Sequence, residues 1–132
     1  MSGKKKLRVL IADDENHIRM LVMTVMKSMG AEIVGEAKNG LEAMELYRKE
    51  KPNMVLMDIN MPVKSGIDAL KEIIAEFPDA VVVMLTSVAD MKTVKECVEL
   101  GASNYIRKDT LIPEIKKLVR ETWGSSKGGN DG

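Results

Sequence analysis

Five times along the chain a short apolar run gives way to an amphipathic segment, and this rhythm restricts the fold more than any other feature. Residues 7–12, 54–57 and 80–85 are nearly continuous apolar runs, which suit parallel strands covered on both faces. Residues 31–37 and 104–107 give weaker strand signals, as edge strands do. The segments between them carry helical periodicity. Ile18, Leu21, Val22, Val25, Met26 and Met29 follow the i, i+3, i+4, i+7 rule, with Gly30 placed for a C-cap. Leu41, Met44 and Tyr47 form a second stripe, with Asn39 placed as an N-cap. Ile67, Leu70, Ile74 and Phe77 form a third, stopped by Pro78. Met91, Val94 and Val98 form a fourth, begun by Asp90 and ended near Gly101. Leu111, Ile115, Leu118, Val119 and Thr122 form the last. Strand and helix in strict alternation predict an α/β fold, a parallel sheet with helices on both faces.

With 132 residues there is room for one such domain. Residues 1–6 read as a flank and 124–132, GSSKGGNDG, as a flexible tail without a large apolar group. Twenty basic and twenty acidic residues cancel, so no net field draws the chain to nucleic acid or to an anionic membrane. The single cysteine, Cys97, excludes an intrachain disulfide and a thiolate-based metal site, and fits a reducing compartment. No apolar run approaches the roughly 20 residues of a membrane span. The N-terminal apolar stretch is too short for a signal peptide, so a cytoplasmic protein is expected.

Polar residues break the pattern at one kind of place. Asp13 and Asp14 follow the first strand, Asp58 ends the third, Thr86 and Ser87 end the fourth, and Lys108 ends the fifth. Open α/β sheets bind ligands at the carboxyl ends of their strands, where the strand order reverses. Three carboxylates gathered there resist joint ionisation unless a cation joins them. Oxygen ligands of this type suit Mg²⁺ with a phosphate oxygen. A lysine and a threonine can take the other phosphoryl oxygens, leaving a carboxylate as the nucleophile. Taken singly, each residue has an ordinary explanation as helix cap, turn or surface group. Their joint placement at strand ends is what points to a site.

With those residues in view, the sequence resembles the response-regulator receiver domain, the CheY-like phosphoacceptor half of bacterial two-component signalling. The likeness runs from about Leu7 to Trp123 through VLIADDE, GEAKNGLEAMELYRKEKPNMVLMDINMPVKSGIDAL, VVMLTSVAD and GASNYIRKD. It implies a flavodoxin-like, doubly wound five-stranded parallel sheet of order 2-1-3-4-5. It also implies a role for each matching residue. Asp58 matches the phosphoacceptor, and Asp14 and Asp58 match direct Mg²⁺ ligands, with Asp13 acting largely through water. Asn60 matches the residue whose backbone carbonyl completes the metal site. Thr86 matches the switch hydroxyl, Tyr105 the switch aromatic, and Lys108 the lysine that contacts a phosphoryl oxygen. Pro62 and Gly66 match the turn after the acceptor. A histidine kinase or phosphotransfer protein is the implied donor. The implied output face is helix 4, strand 5 and helix 5, with Asp90, Lys92, Lys95, Glu96, Tyr105 and Lys116 on it. Such a chain controls a partner protein as a monomer or a phosphorylation-dependent dimer, and turns over no outside substrate.

Two departures stand out. Receivers often carry proline, frequently after a cis peptide, where Asp109 follows Lys108 here. Val88, beside the acceptor pocket in the family, offers no acid or base to an attacking water, so a long-lived phosphoryl group is expected. The string KDT resembles receivers of one class of DNA-binding regulators. Their helix-turn-helix domain needs about sixty further residues, so the chain reads as a standalone receiver or as one cut from a longer regulator. Two other classes compete. An Asp-nucleophile phosphatase of the haloacid-dehalogenase type needs a general-acid Asp where Asn60 stands. A flavodoxin-like electron carrier needs a phosphate loop unlike ADDE and more aromatics than the four present. His17, the one histidine, reads as an exposed surface group, Cys97 as an inert, partly buried thiol, and Met26, Met29, Met57 and Met84 as core fillers.

Overall fold

A computed structural model describes residues 6–87 and 91–125. Five parallel strands, β1 (Arg8–Ala12), β2 (Glu32–Ala37), β3 (Met54–Asp58), β4 (Val82–Thr86) and β5 (Asn104–Arg107), form one sheet in the order β2-β1-β3-β4-β5. They alternate with α1 (Asn16–Ser28), α2 (Gly40–Glu50), α3 (Gly66–Glu76), α4 (Met91–Glu99) and α5 (Ile112–Ser125). The weak strand signals are the two edges, β2 and β5, which are covered less and so need fewer apolar residues.

Alternate strand residues feed two cores. Leu10, Val55, Met57, Val82 and Met84 face α2, α3 and α4, meeting Met44, Leu70, Ile73 and Cys97. Val9, Ile11, Met54, Leu56, Val83 and Leu85 face α1 and α5, meeting Val25, Met26, Ile115 and Val119. Burial on both faces explains why β3 and β4 read as unbroken apolar runs. Methionine fills much of this volume: Met26, Met44, Met54, Met57 and Met84 are all fully buried, and Met29 packs at the margin.

The local signals settle as follows. Asn39 caps α2 through Oδ1, which accepts the Glu42 N–H at 2.9 Å, while Glu42 Oε1 accepts the Lys38 N–H. Gly30, at φ +87°, ends the α1 turn just beyond the C-cap Met29. Some stripe residues face the other way. α4 buries Val94 and Cys97 while Met91 and Val98 stay exposed, because a nine-residue helix touches the sheet along a narrow line. Leu41 and Leu111 are exposed as well, lying at or just before a helix start where the axis has not yet met the sheet. The strand expected over 80–85 begins at Val82. α5 continues through Gly124 and Ser125, the first two residues of the expected tail. Asp90 and Val88 lie outside the described residues. His17 is exposed, as expected, and Cys97 is fully rather than partly buried, facing the sheet beside Val94.

Candidate functional site

β1 and β3 lie side by side at the centre of the sheet, and the order reverses between them. Asp13 directly follows β1 and Asp58 is the last residue of β3, so the two carboxylates meet at this reversal. Asp13, Asp14 and Asp58 each offer an oxygen, and these oxygens lie within 4.8 Å of one another. Lys108 follows β5, where its N–H donates to the Thr86 carbonyl at 2.8 Å. Its Nζ reaches back across β4 to Glu15 Oε1 at 2.8 Å, Asp13 Oδ2 at 2.9 Å and Asp58 Oδ2 at 3.3 Å.

Backbone contacts hold the loops that carry these groups. Asp13 Oδ1 accepts the Glu15 N–H at 2.9 Å, and the Asp13 N–H donates to Ala37 O. After Asp58, the chain makes a γ-turn in which the Lys64 N–H donates to Pro62 O at 2.7 Å around Val63, at φ +68°. A β-branched residue in that region is strained. Ser65 then caps α3, its Oγ accepting the Asp68 N–H. Gly66 packs so closely that a Cβ there would lie 1.9 Å from the Asp58 carbonyl oxygen. Gly40 is equally pressed against this loop, donating its N–H to Lys64 O at 2.8 Å.

The electrostatics follow from burial. Asp58 is 5% exposed, and desolvation together with the Asp13 charge pushes its carboxyl up to about 6, against the pull of Lys108 and the Asn60 N–H. Burial opposes the Lys108 charge, but its hydrogen bond to Glu15, its close approach to Asp13 and the charge of Asp58 outweigh it and raise the ammonium above its ordinary value. Glu15 is held below its usual range by Lys108.

A folded-state value above the unfolded one means that ionising Asp58 costs stability. That stability is present below about pH 4 and is lost as pH rises through about 6. Asp58→Asn removes the charge, so in chelator at pH 8 it is expected to be more stable than wild type by about 1–2 kcal/mol, after allowing for solvent at the site mouth. The gain should vanish by about pH 4. Thermal melts in EDTA across this range check the sign, and an unchanged gain at low pH would refute it.

The residues present fit a divalent cation. Asp13 Oδ2 is fully buried and accepts no hydrogen bond, since the Lys108 Nζ approach lies off the hydrogen-bond direction. A buried carboxylate oxygen that takes no directed hydrogen bond, beside two more carboxylates, is a hard-oxygen ligand set.

Comparison with known proteins decides the family: residues 9–120 match the model of the response regulator receiver domain. The chain belongs to that family. Protein CcdB of Bacillus subtilis (strain 168) is 42% identical over 117 residues, covering 89% of this chain and 98% of that protein. Chemotaxis protein CheY of Thermotoga maritima is 42% identical over 101 residues, covering 76% and 84%. Among solved structures, the CheX-CheY-BeF3-Mg2+ complex from Borrelia burgdorferi superposes with a TM-score of 0.85 at 28% identity, covering 89% of each chain. Receiver domains of the CheY type act as signalling switches, and the doubly wound order expected from the resemblance is the one observed.

The structure of this receiver brings Asp13, Asp14, Asp58 and Lys108 together. Thr86 ends β4, buried, on the face that carries Met84, and Tyr105 on β5 pairs with Met84 of the neighbouring β4. The two expected switch residues therefore share one face of adjacent strands, two positions apart. Tyr105 is half-buried against the α2–α4 core. Asn60 is exposed, with its N–H directed at Asp58 Oδ1 at 3.4 Å. The Lys108–Asp109 peptide is trans, as are all described peptide bonds. On the expected output face, Lys92, Lys95 and Glu96 are exposed and Lys116 is half-buried. No described helix is long and apolar enough to cross a membrane.

Two residues went unread. Arg19 is 6% exposed; it donates to Asp13 O at 2.8 Å, Asn16 Oδ1 at 2.7 Å and Glu36 Oε1 at 3.0 Å, tying the acidic loop to α1 and β2. Its signal was present, since Arg19 lies in line with the buried Val22 and Met26 at i, i+3, i+7. Glu15, the third acid of ADDE, is the other.

Proposed function

We propose that this receiver takes a phosphoryl group on Asp58, using Mg²⁺, and that the new charge drives its signalling switch. The observation that supports this best is the Lys108 ammonium, set among Asp13, Glu15 and Asp58 at the reversal point of the sheet. Asp58 is mostly ionised at neutral pH and supplies the nucleophile. One of its oxygens bonds to phosphorus while the phosphorus–nitrogen bond of a donor phosphohistidine breaks, and the imidazole nitrogen leaves with the electron pair. Lys108 steadies a phosphoryl oxygen, and the Thr86 hydroxyl takes another. Asp13, Asp14, Asp58 and the Asn60 carbonyl would hold Mg²⁺, which would supply positive charge against the transferring group.

The phosphoryl group brings about −1.5 to −2 charges. Thr86 moves towards it, Tyr105 follows on the same face, and the α4–β5–α5 surface changes for a partner protein. The donor is a histidine kinase or phosphotransfer protein, and the setting is the cytoplasm. The amide of Asn60 cannot protonate a leaving group, which favours a self-modifying switch over a phosphatase with outside substrates.

Intact mass after incubation with a small acyl phosphate tests the reading. One added phosphoryl group is expected on wild type with Mg²⁺, and none in EDTA or on Asp58→Asn. An adduct that survives Asp58→Asn, or no adduct on wild type with Mg²⁺, would overturn it.

A further inference from the structure

Lys108 does not make its best contact with the acceptor. Its shortest bond, a directed hydrogen bond of 2.8 Å, goes to Glu15, whereas Asp58 is the farthest of its three carboxylates at 3.3 Å. Glu15 lies outside the trio of carboxylates that fits a cation. It is also the partner most easily released. Its side chain is 46% exposed, so water can replace the ammonium at little cost, while Asp13 is fully buried. The Glu15 side chain is not held by the helix it precedes: Glu15 is the N-cap residue of α1 but makes no side-chain cap bond. Its N–H is held by Asp13 Oδ1, a backbone bond that any residue keeps.

The Lys108 ammonium has three carboxylates within 3.3 Å, and its directed hydrogen bond goes to Glu15. A phosphoryl oxygen on Asp58 therefore competes for this ammonium chiefly with Glu15. We propose that Glu15 is a positioning residue that holds the Lys108 ammonium in the resting chain and yields it to the incoming phosphoryl oxygen, so that Glu15 sets how much donor is needed to load the site. The inference rests on Asp58 being the acceptor.

Beryllofluoride titrated in saturating Mg²⁺ and followed by fluorine NMR tests both layers. Glu15→Gln is expected to half-saturate at about three- to five-fold less beryllofluoride than wild type, the scale of one exposed ion pair. The nitrogen-15 signal of the Lys108 ammonium should exchange faster with water in unloaded Glu15→Gln than in unloaded wild type, and equally in the two loaded proteins. Glu15→Asp keeps the charge but is one methylene shorter, and is expected to shift in the same direction as Glu15→Gln. If Glu15→Gln binds no more tightly than wild type, or if Glu15→Asp matches wild type, the tether is wrong. If wild type itself takes no beryllofluoride, the acceptor assignment falls first and Glu15 with it.

Discussion

Lys108→Met is expected to lower the stability of the metal-free protein by about 3 kcal/mol at neutral pH. Among the described residues, Lys108 is the cation paired with both the Asp13 and the Asp58 carboxylate, and its side chain is only 8% exposed. Methionine keeps the length of the stem and removes the charge. Two buried carboxylates then face each other without a counter-ion, and breaking a buried pair costs about 3–5 kcal/mol because the remaining charge is stranded. The lower end applies here, since the Glu15 side admits water. Two conditions should restore much of the loss. Mg²⁺ replaces the missing positive charge, and acid protonates Asp58, whose carboxyl already sits at about 6 and rises further without the lysine. Urea unfolding in EDTA, in Mg²⁺ and at pH 5 separates the cases. A loss equal under all three conditions would mean that the stem packing, not the charge, is what the fold uses.

Gly66→Ala is expected to cost about 3 kcal/mol or more. The added methyl would stand 1.9 Å from the Asp58 carbonyl oxygen and 2.9 Å from its carbon. Backbone cannot rotate away as a side chain can, so α3 and the end of β3 must separate. That movement breaks the Gly66 N–H bond to Ile59 O, 2.8 Å long, and displaces Asp58 from Asp13. Cation affinity should therefore fall along with stability. Gly124→Ala is the control, because its Cβ would meet nothing within 4 Å and alanine favours the helix. It should stabilise by up to about 1 kcal/mol. A mild Gly66→Ala phenotype in denaturant melts, close to that of Gly124→Ala, would show that the α3 start can give way freely.

Much of this was legible in the sequence, for reasons that can be named. The central strands announce themselves because both faces are buried, and β3 therefore has no polar residue until Asp58. The acids and Lys108 stand out for the same reason, as the first polar groups after apolar runs. In α4 the stripe Met91, Val94 and Val98 shares only Val94 with the buried line, because Cys97 and not Val98 faces the core. Arg19 escaped because an arginine in an amphipathic helix is assigned to the wet side, and its acceptor on Asp13 is a backbone carbonyl that no motif reveals. Glu15 escaped because its partner, Lys108, is 93 residues away.

The methionine-filled interior gives this protein a set of built-in reporters. Met26 and Met54 sit in the layer under α1 and α5, and Met44, Met57 and Met84 in the layer under α2, α3 and α4. Met57 adjoins Asp58, and Met84 pairs with Tyr105 two residues before Thr86. Isotope labels on the methionine methyl groups alone would therefore place spectroscopic probes on both sides of the sheet. Changes at Met57 and Met84 with Met26 and Met54 unmoved would describe a switch carried through one layer, while shifts in all of them would describe a molecule that repacks as a whole.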